Sequence, residues 1–159
     1  MNNEYQFNNK WNVWYHSIND NRWTNDSYTN VFNISNLYDF KAFKSVINNK
    51  ILHKCMFFIM KDNIFPTWED ENNKNGCCVS YKISNKILYR DFYNILSNIL
   101  IGNIMKNKDN ENIVNGISIS PKKEFNIIKI WFKKSINIYD ICEIKPSFIH
   151  SKCILKSNN

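Results

Sequence analysis

The chain has 159 residues, 43% hydrophobic and 22% charged, enough to bury a core and too apolar for a disordered chain, and the length predicts a single domain over 1–159. With only 3 Gly and 3 Pro, collagen-like, Gly/Ser-linker and Pro-rich architectures are excluded. Lys and Arg number 21 against 14 Asp and Glu, and the net charge of +7 favours a polyanionic partner such as RNA, DNA or a phosphorylated ligand.

Residues 1–10 hold no apolar stretch and are expected as a flexible arm, not a secretory signal. WNVWYH (11–16) alternates with period two and predicts a strand with Trp11 and Trp14 on opposite faces. SINDNRWTNDS (17–27) reads as a polar loop, followed by a strand from Tyr28 to Ile34. Asn36 is placed to cap a helix running to about Ile47, with Asp39 at the capping-box position. Phe40, Phe43 and Ile47 share one face of it, while Lys41, Lys44 and Ser45 point elsewhere. CMFFIM (55–60) is the longest purely apolar run, a buried strand far too short to span a bilayer. Pro66 opens a long polar loop, FPTWEDENNKNG.

Residues 78–84 alternate again, with Val79, Tyr81 and Ile83 on one face. Residues 90–101 predict a second helix with Phe92, Ile95, Leu96, Ile99 and Leu100 as its core stripe. KNKDNEN (106–112) reads as a mobile, solvated loop. Residues 113–120 and 125–132 form a strand pair turning at Pro121–Glu124, and 147–155 is expected to hold one last strand. Hairpin strands interrupted by two helices make the class α+β.

Five cysteines without a CxxC pair, and three histidines apart from them and from each other, argue against a disulfide framework or a zinc site and for a reducing compartment. Asn, Ile and Lys crowd the chain, as AT-rich coding produces, so part of the basicity follows from composition.

The informative residues are the tryptophans. Trp11 and Trp14 read as core or half-core. Trp23 and Trp68 lie in polar loops, NDNRWTND and FPTWEDEN, with no local reason for burial. Each ring either folds back onto the core edge or is offered to a ligand. Trp131 shares a strand face with Lys129, expected to be wet, with Lys122 and Lys123 close by in the hairpin. A sheet face of aromatics and lysines suits stacking a base and holding its phosphates. Beside Trp68 stand Glu69, Asp70 and Glu71. One carboxylate next to a stacking ring accepts two N–H groups from a guanine edge and favours a cationic base; Asp70 and Glu71 are expected to be solvated without partners.

Together these residues resemble the eukaryotic translation initiation factor 4E family of mRNA cap-binding proteins. The resemblance runs from about Trp11 to Trp131 and is strongest in MKDNIFPTWEDENNKNG (60–76). KWNVWY with Trp23 downstream is similar to the segment of the first cap-stacking Trp. YDFKAF (38–43) resembles the first dorsal helix, LIG (100–102) the end of the second, and KIW (129–131) the strand of the third cap-contacting Trp.

The resemblance implies a curved antiparallel sheet with helices on its convex face and the cap site in the concave face. Trp23 and Trp68 would sandwich the 7-methylguanine ring, Glu69 and the Trp68 backbone N–H would hydrogen-bond its edge, and Trp131 would contact the methyl group. Lys122 and Lys129 would hold the triphosphate. One family Arg falls at Cys78 and a second at Lys122, and a family Lys at Ile127, so the phosphate grip departs from the pattern. The dorsal partner site departs too. Leu37 remains there, but Lys41 replaces a docking Trp, and Asn94 and Asn98 stand at apolar positions, so a scaffold protein is not expected to bind through the Tyr-x4-Leu-hydrophobic motif. The helix after the third Trp is reduced to INIYDICEI (136–144).

The function expected from the resemblance is non-enzymatic cap binding in cytoplasmic translation initiation, without a cofactor or metal. The compact, AT-rich chain fits a divergent member from a large DNA virus, acting in the host cytoplasm, or from a protist parasite. Two other readings stand beside it: a cap-sequestering repressor, and a cap or nucleotide hydrolase using the acidic triplet.

Overall fold

A computed structural model describes residues 5–158. Its first strand, β1 (Gln6–His16), pairs with β2 (Tyr28–Asn36), which leads into α1 (Leu37–Val46) and the single turn α2 (Asn49–Leu52). Then come β3 (Met56–Lys61), β4 (Cys77–Ser84), α3 (Leu88–Leu100), the hairpin of β5 (Val114–Pro121) and β6 (Phe125–Phe132), and β7 (Cys153–Ser157). All seven of these strands join one sheet in the order β2-β1-β3-β5-β6-β4-β7, and every pairing is antiparallel. The fold is α+β, with the helices packed on one face of the sheet.

Strand alternation sorts the side chains. From β3, Phe57 and Ile59 enter the main core with Phe43 of α1 and Phe92, Ile95, Leu96 and Ile99 of α3. Met56, Phe58 and Met60 point the other way into a smaller cluster with Tyr28, Cys78 and Trp131. Each buried aliphatic or aromatic side chain contributes about 1.5–3 kcal/mol, so the helix-side core carries most of the stability. No helix among the described residues is long and apolar enough to cross a membrane.

Asn36 caps α1 as expected, its Oδ1 accepting from Asp39 N at 2.9 Å. Asp39 does not close the capping box on Asn36; its Oδ2 accepts from Ser35 N and Ser35 Oγ instead, one residue earlier. Residues 6–10, expected within the arm, belong to β1, where Gln6 already pairs with Asn36; residues 1–4 lie outside the described residues. The loop expected at 106–112 is largely ordered as a 3₁₀ segment, Lys108–Ile113. The reason is Glu111, whose carboxylate accepts the backbone N–H groups of Ile104 and Met105. The Lys61 ammonium adds bonds to the Glu111 and Asn112 carbonyls, each at 3.3 Å. Within 136–144 only Ile138–Asp140 forms a 3₁₀ turn.

Candidate functional site

On the face away from the helices, the register lays out two rows of side chains. One crosses the sheet as Trp14, Phe58, Ser118, Lys129 and Ser80. The next runs Met60, Gly116, Trp131, Cys78 and Lys156. Gly116 keeps this surface open for its neighbours: a Cβ there would collide with the Ile59 carbonyl and with Met60.

Two loops overhang these rows from opposite ends of the sheet. Loop 17–27 joins β1 to β2 at the end where β3 begins, and loop 62–76 leaves from the end where β3 finishes. Between them lies a cavity of about 400 Å³. Trp23 and Trp68 form its upper walls, Phe58 and Trp131 lie deeper, and Lys122 and Lys129 line its side.

Trp23 and Trp68 are 56% and 50% exposed, so neither plugs the core edge. Trp23 is backed by His16, ring on ring at 4.3 Å and 7° between planes. His16 itself is fully buried, with Nδ1 2.9 Å from the Ser17 carbonyl and Nε2 2.8 Å from the Arg22 carbonyl. The carbonyl next to Trp23 is thus tied to the sheet. Arg22 in turn is clasped by Asp20 through a side-chain pair at 2.8 Å, and Asp20 also accepts the Arg22 backbone N–H at 2.9 Å.

These Arg22 hydrogen bonds hold the Asp20 carboxyl at about 2, below its ordinary 3.8. A carboxyl lowered by folding stabilises while ionised, so its contribution is complete above about pH 4 and is lost as pH falls toward 2. A carbon-13 titration of the Asp20 carboxyl should therefore give a midpoint near 2. A midpoint at the ordinary value would show the clasp to be absent in solution.

Loop 62–76 is held by amides. Asn73 is fully buried; its Nδ2 donates to the carbonyls of Phe65 (3.1 Å) and Thr67 (2.8 Å), and its Oδ1 accepts from Asn115 Nδ2 at 2.9 Å. Asn158 Nδ2 donates to the Asn73 carbonyl at 2.8 Å. Asp70, expected to be solvated, instead accepts from Phe65 N (3.0 Å) and Asn72 N (2.8 Å), closing the loop at its own turn. Glu71 pairs with Lys74 at 2.8 Å. The three consecutive acids therefore diverge, two into loop contacts, leaving Glu69 exposed beside Trp68.

Glu69 does not line the cavity, but its charge reaches the wall. Burial, and secondarily the Glu69 carboxylate, pushes the Tyr28 hydroxyl up to about 12. Trp131 lies on the lysine face as expected but is not wet: it is 6% exposed, and its Nε1 donates to Ser118 Oγ at 3.0 Å. Packing against Phe58, at 6.3 Å between ring centroids, accounts for the burial.

On the helix-covered side, Lys41 is exposed on α1 and Leu37 is half-buried. Asn94 and Asn98 are half-buried on α3 and already engaged, Asn94 Nδ2 donating to Ser147 Oγ at 2.9 Å and Asn98 Nδ2 to the Asn94 carbonyl at 2.8 Å. An open groove between the two helices is lined by Phe40, Lys44, Tyr89, Arg90, Tyr93 and Asn94, with Ser97. Leu37, Lys41 and Asn98 lie outside its lining.

Sequence reasoning missed Asn73, Asn115 and Asn158, whose roles come from contacts between residues distant in the chain, and His16, which binds the loop that follows it. It also missed Lys156.

Comparison with known proteins agrees with this architecture. Eukaryotic translation initiation factor 4E of Candida albicans is 27% identical over 141 residues, covering 84% of this chain. The chain spans 66% of that relative's length, just under two thirds. Among solved structures, Schistosome initiation factor 4E complexed with m7GpppG and 4E-BP superposes with a TM-score of 0.75 at 14% identity, covering 86% of this chain and 76% of its own. Ascaris suum initiation factor 4E-3 with m7G cap gives 0.73 at 18% identity, covering 85% and 77%. C. elegans initiation factor 4E-3 with the 4E-binding protein Mextli gives 0.72 at 17%, covering 82% and 76%. These structures share the fold. The family profile described as eukaryotic initiation factor 4E matches residues 6–157, and the chain belongs to that family.

Proposed function

We propose that the chain binds the 7-methylguanosine cap of mRNA and acts, without catalysis, in cytoplasmic translation initiation. The observation that carries this reading is the pair of half-exposed tryptophans, Trp23 and Trp68, on loops from opposite ends of the sheet, facing one cavity. Two indole faces suit a cationic purine, because cation–π attraction adds about 2 kcal/mol when desolvated. Glu69 stands beside Trp68 to pair with the N–H edge of the base, Trp131 closes the cavity behind the methyl group, and Lys122 and Lys129 face the phosphates. Hydrolysis is not favoured, because Asp70 and Glu71 turn away from Glu69 into the loop.

The helix-covered face supports a partner of unusual chemistry. Two cations, Lys44 and Arg90, and the already bonded Asn94 border its aromatic floor of Phe40, Tyr89 and Tyr93, a lining poorly matched to the wholly apolar stripe of a Tyr-x4-Leu-hydrophobic helix. Whether the protein promotes or represses capped messages is read from the sign of its effect on a capped reporter in a translation extract.

The binding reading is tested by tryptophan-fluorescence titration with 7-methyl-GTP and with GTP. Quenching by the methylated nucleotide at concentrations where GTP has little effect is expected. Equal, weak quenching by both would remove the cap reading and leave a general RNA-binding sheet.

A further inference from the structure

The site face continues beyond the cavity onto the edge strand β7. In the register, Lys156 pairs with Cys78, which pairs with Trp131, while Ser80 of the adjoining row pairs with Lys129. A small hollow of about 40 Å³ lies among these residues, lined also by Trp68 and Asn158. Trp68, Lys129 and Trp131 line both this hollow and the larger cavity, so the two are adjacent.

Among the described residues the charges in the hollow are unmatched. Lys156 Nζ stands 5.8 Å from the centroid of the Trp68 ring. Neither Lys129 nor Lys156 has a carboxylate within ion-pair distance among the described residues. Cys78 between them supplies no charge of its own. Burial pushes its thiol up to about 12, and its Sγ donates to Asn158 Oδ1 at 3.5 Å. Two ammonium groups on strands either side of β4, over a neutral floor of Cys78 and Ser80, create a local positive potential that an anion would neutralise.

We infer that Lys156, with Lys129, forms a two-lysine seat that straddles β4 and holds the phosphate chain of the nucleotide whose base enters the main cavity. Trp68 borders both spaces, so a ring stacked on it and a phosphate in the hollow can belong to one ligand, which favours a phosphate chain over an unconnected anion. The inference rests on the cap reading for the base, but its test is separate.

Wild type and Lys156→Ala are titrated with 7-methylguanosine, its monophosphate and its triphosphate, and with guanosine and GTP. Lys156→Ala is expected to weaken the triphosphate about tenfold, the loss of one charge-assisted hydrogen bond, and to leave the nucleoside unchanged. The slope of log affinity against log salt should fall by about one. Lys156→Arg should restore most of the loss. Lys156 is exposed on an edge strand, so the melting temperature should not move.

An unchanged triphosphate affinity, or equal losses for nucleoside and triphosphate, would overturn the seat. The cap reading fails on a different comparison, if wild type does not prefer 7-methylguanosine to guanosine. The seat is read from the gain between nucleoside and triphosphate, which GTP reports as well.

Discussion

Replacing Trp68 by Ala should reduce affinity for 7-methyl-GTP by about 10- to 100-fold, the equivalent of losing one base–aromatic stack. The same change should barely affect folding, because the ring is half-exposed and its loop is anchored by other residues. Trp23→Ala should behave alike for the opposite wall, with a further loosening of loop 17–27 once His16 loses its stacking partner. Trp131→Ala provides the contrast. That ring is buried, so its removal should cost about 3–5 kcal/mol of stability as well as binding. Equilibrium titration together with denaturant unfolding separates the cases. A Trp68→Ala protein with wild-type affinity would show that the base does not stack there.

Asn73→Ala should have a large effect although the residue lies outside the cavity. One side chain holds the Phe65 and Thr67 carbonyls on either side of Pro66 and receives the Asn115 amide, the last two contacts fully buried. Deleting it strands several buried polar groups, each worth about 1–3 kcal/mol, so a loss of about 3 kcal/mol is expected. Cap affinity should fall too, because the turn that presents Trp68 and Glu69 is no longer fixed. Urea unfolding measures the first effect. Near-saturating 7-methyl-GTP should recover part of the stability, since it binds only the folded form. Wild-type stability in Asn73→Ala would mean that loop 62–76 is held by other contacts.

Much of the fold is legible in the sequence where periodicity is strong. The stripe Phe92, Ile95, Leu96, Ile99 and Leu100 and the alternation of Val79, Tyr81 and Ile83 state which face is buried, and all eight side chains are buried. Trp23 and Trp68 stand out because polar neighbours offer them no core, and the structure places both on the cavity. Trp131 shows the limit of strand alternation. Its face is read correctly from Lys129, but its burial depends on Phe58 and Ser118 from two other strands.

The asparagines are less legible still. In an Asn-rich chain nothing local distinguishes Asn73 from Asn75, and its partners Asn115 and Asn158 lie 42 and 85 residues away. Lys156 is similarly hidden, because only the register of β7 on β4 brings it to Trp68. The segment 106–112 looks like solvated loop because Glu111 acts through its carboxylate on backbone amides that no hydrophobic pattern reveals.

The sheet order has a kinetic consequence. β3 and β4 follow one another in the chain, yet β5 and β6 lie between them in the sheet. β4 therefore has no lateral neighbour until β6, some fifty residues downstream, has formed. The Trp23 wall belongs to the local β1–β2 hairpin and requires only a short loop closure, whereas the Trp68 wall is strung between β3 and β4, which come together only when the β5–β6 hairpin has formed between them. The two halves of the pocket mature on different clocks, and recovery of ligand binding during refolding follows the slower one.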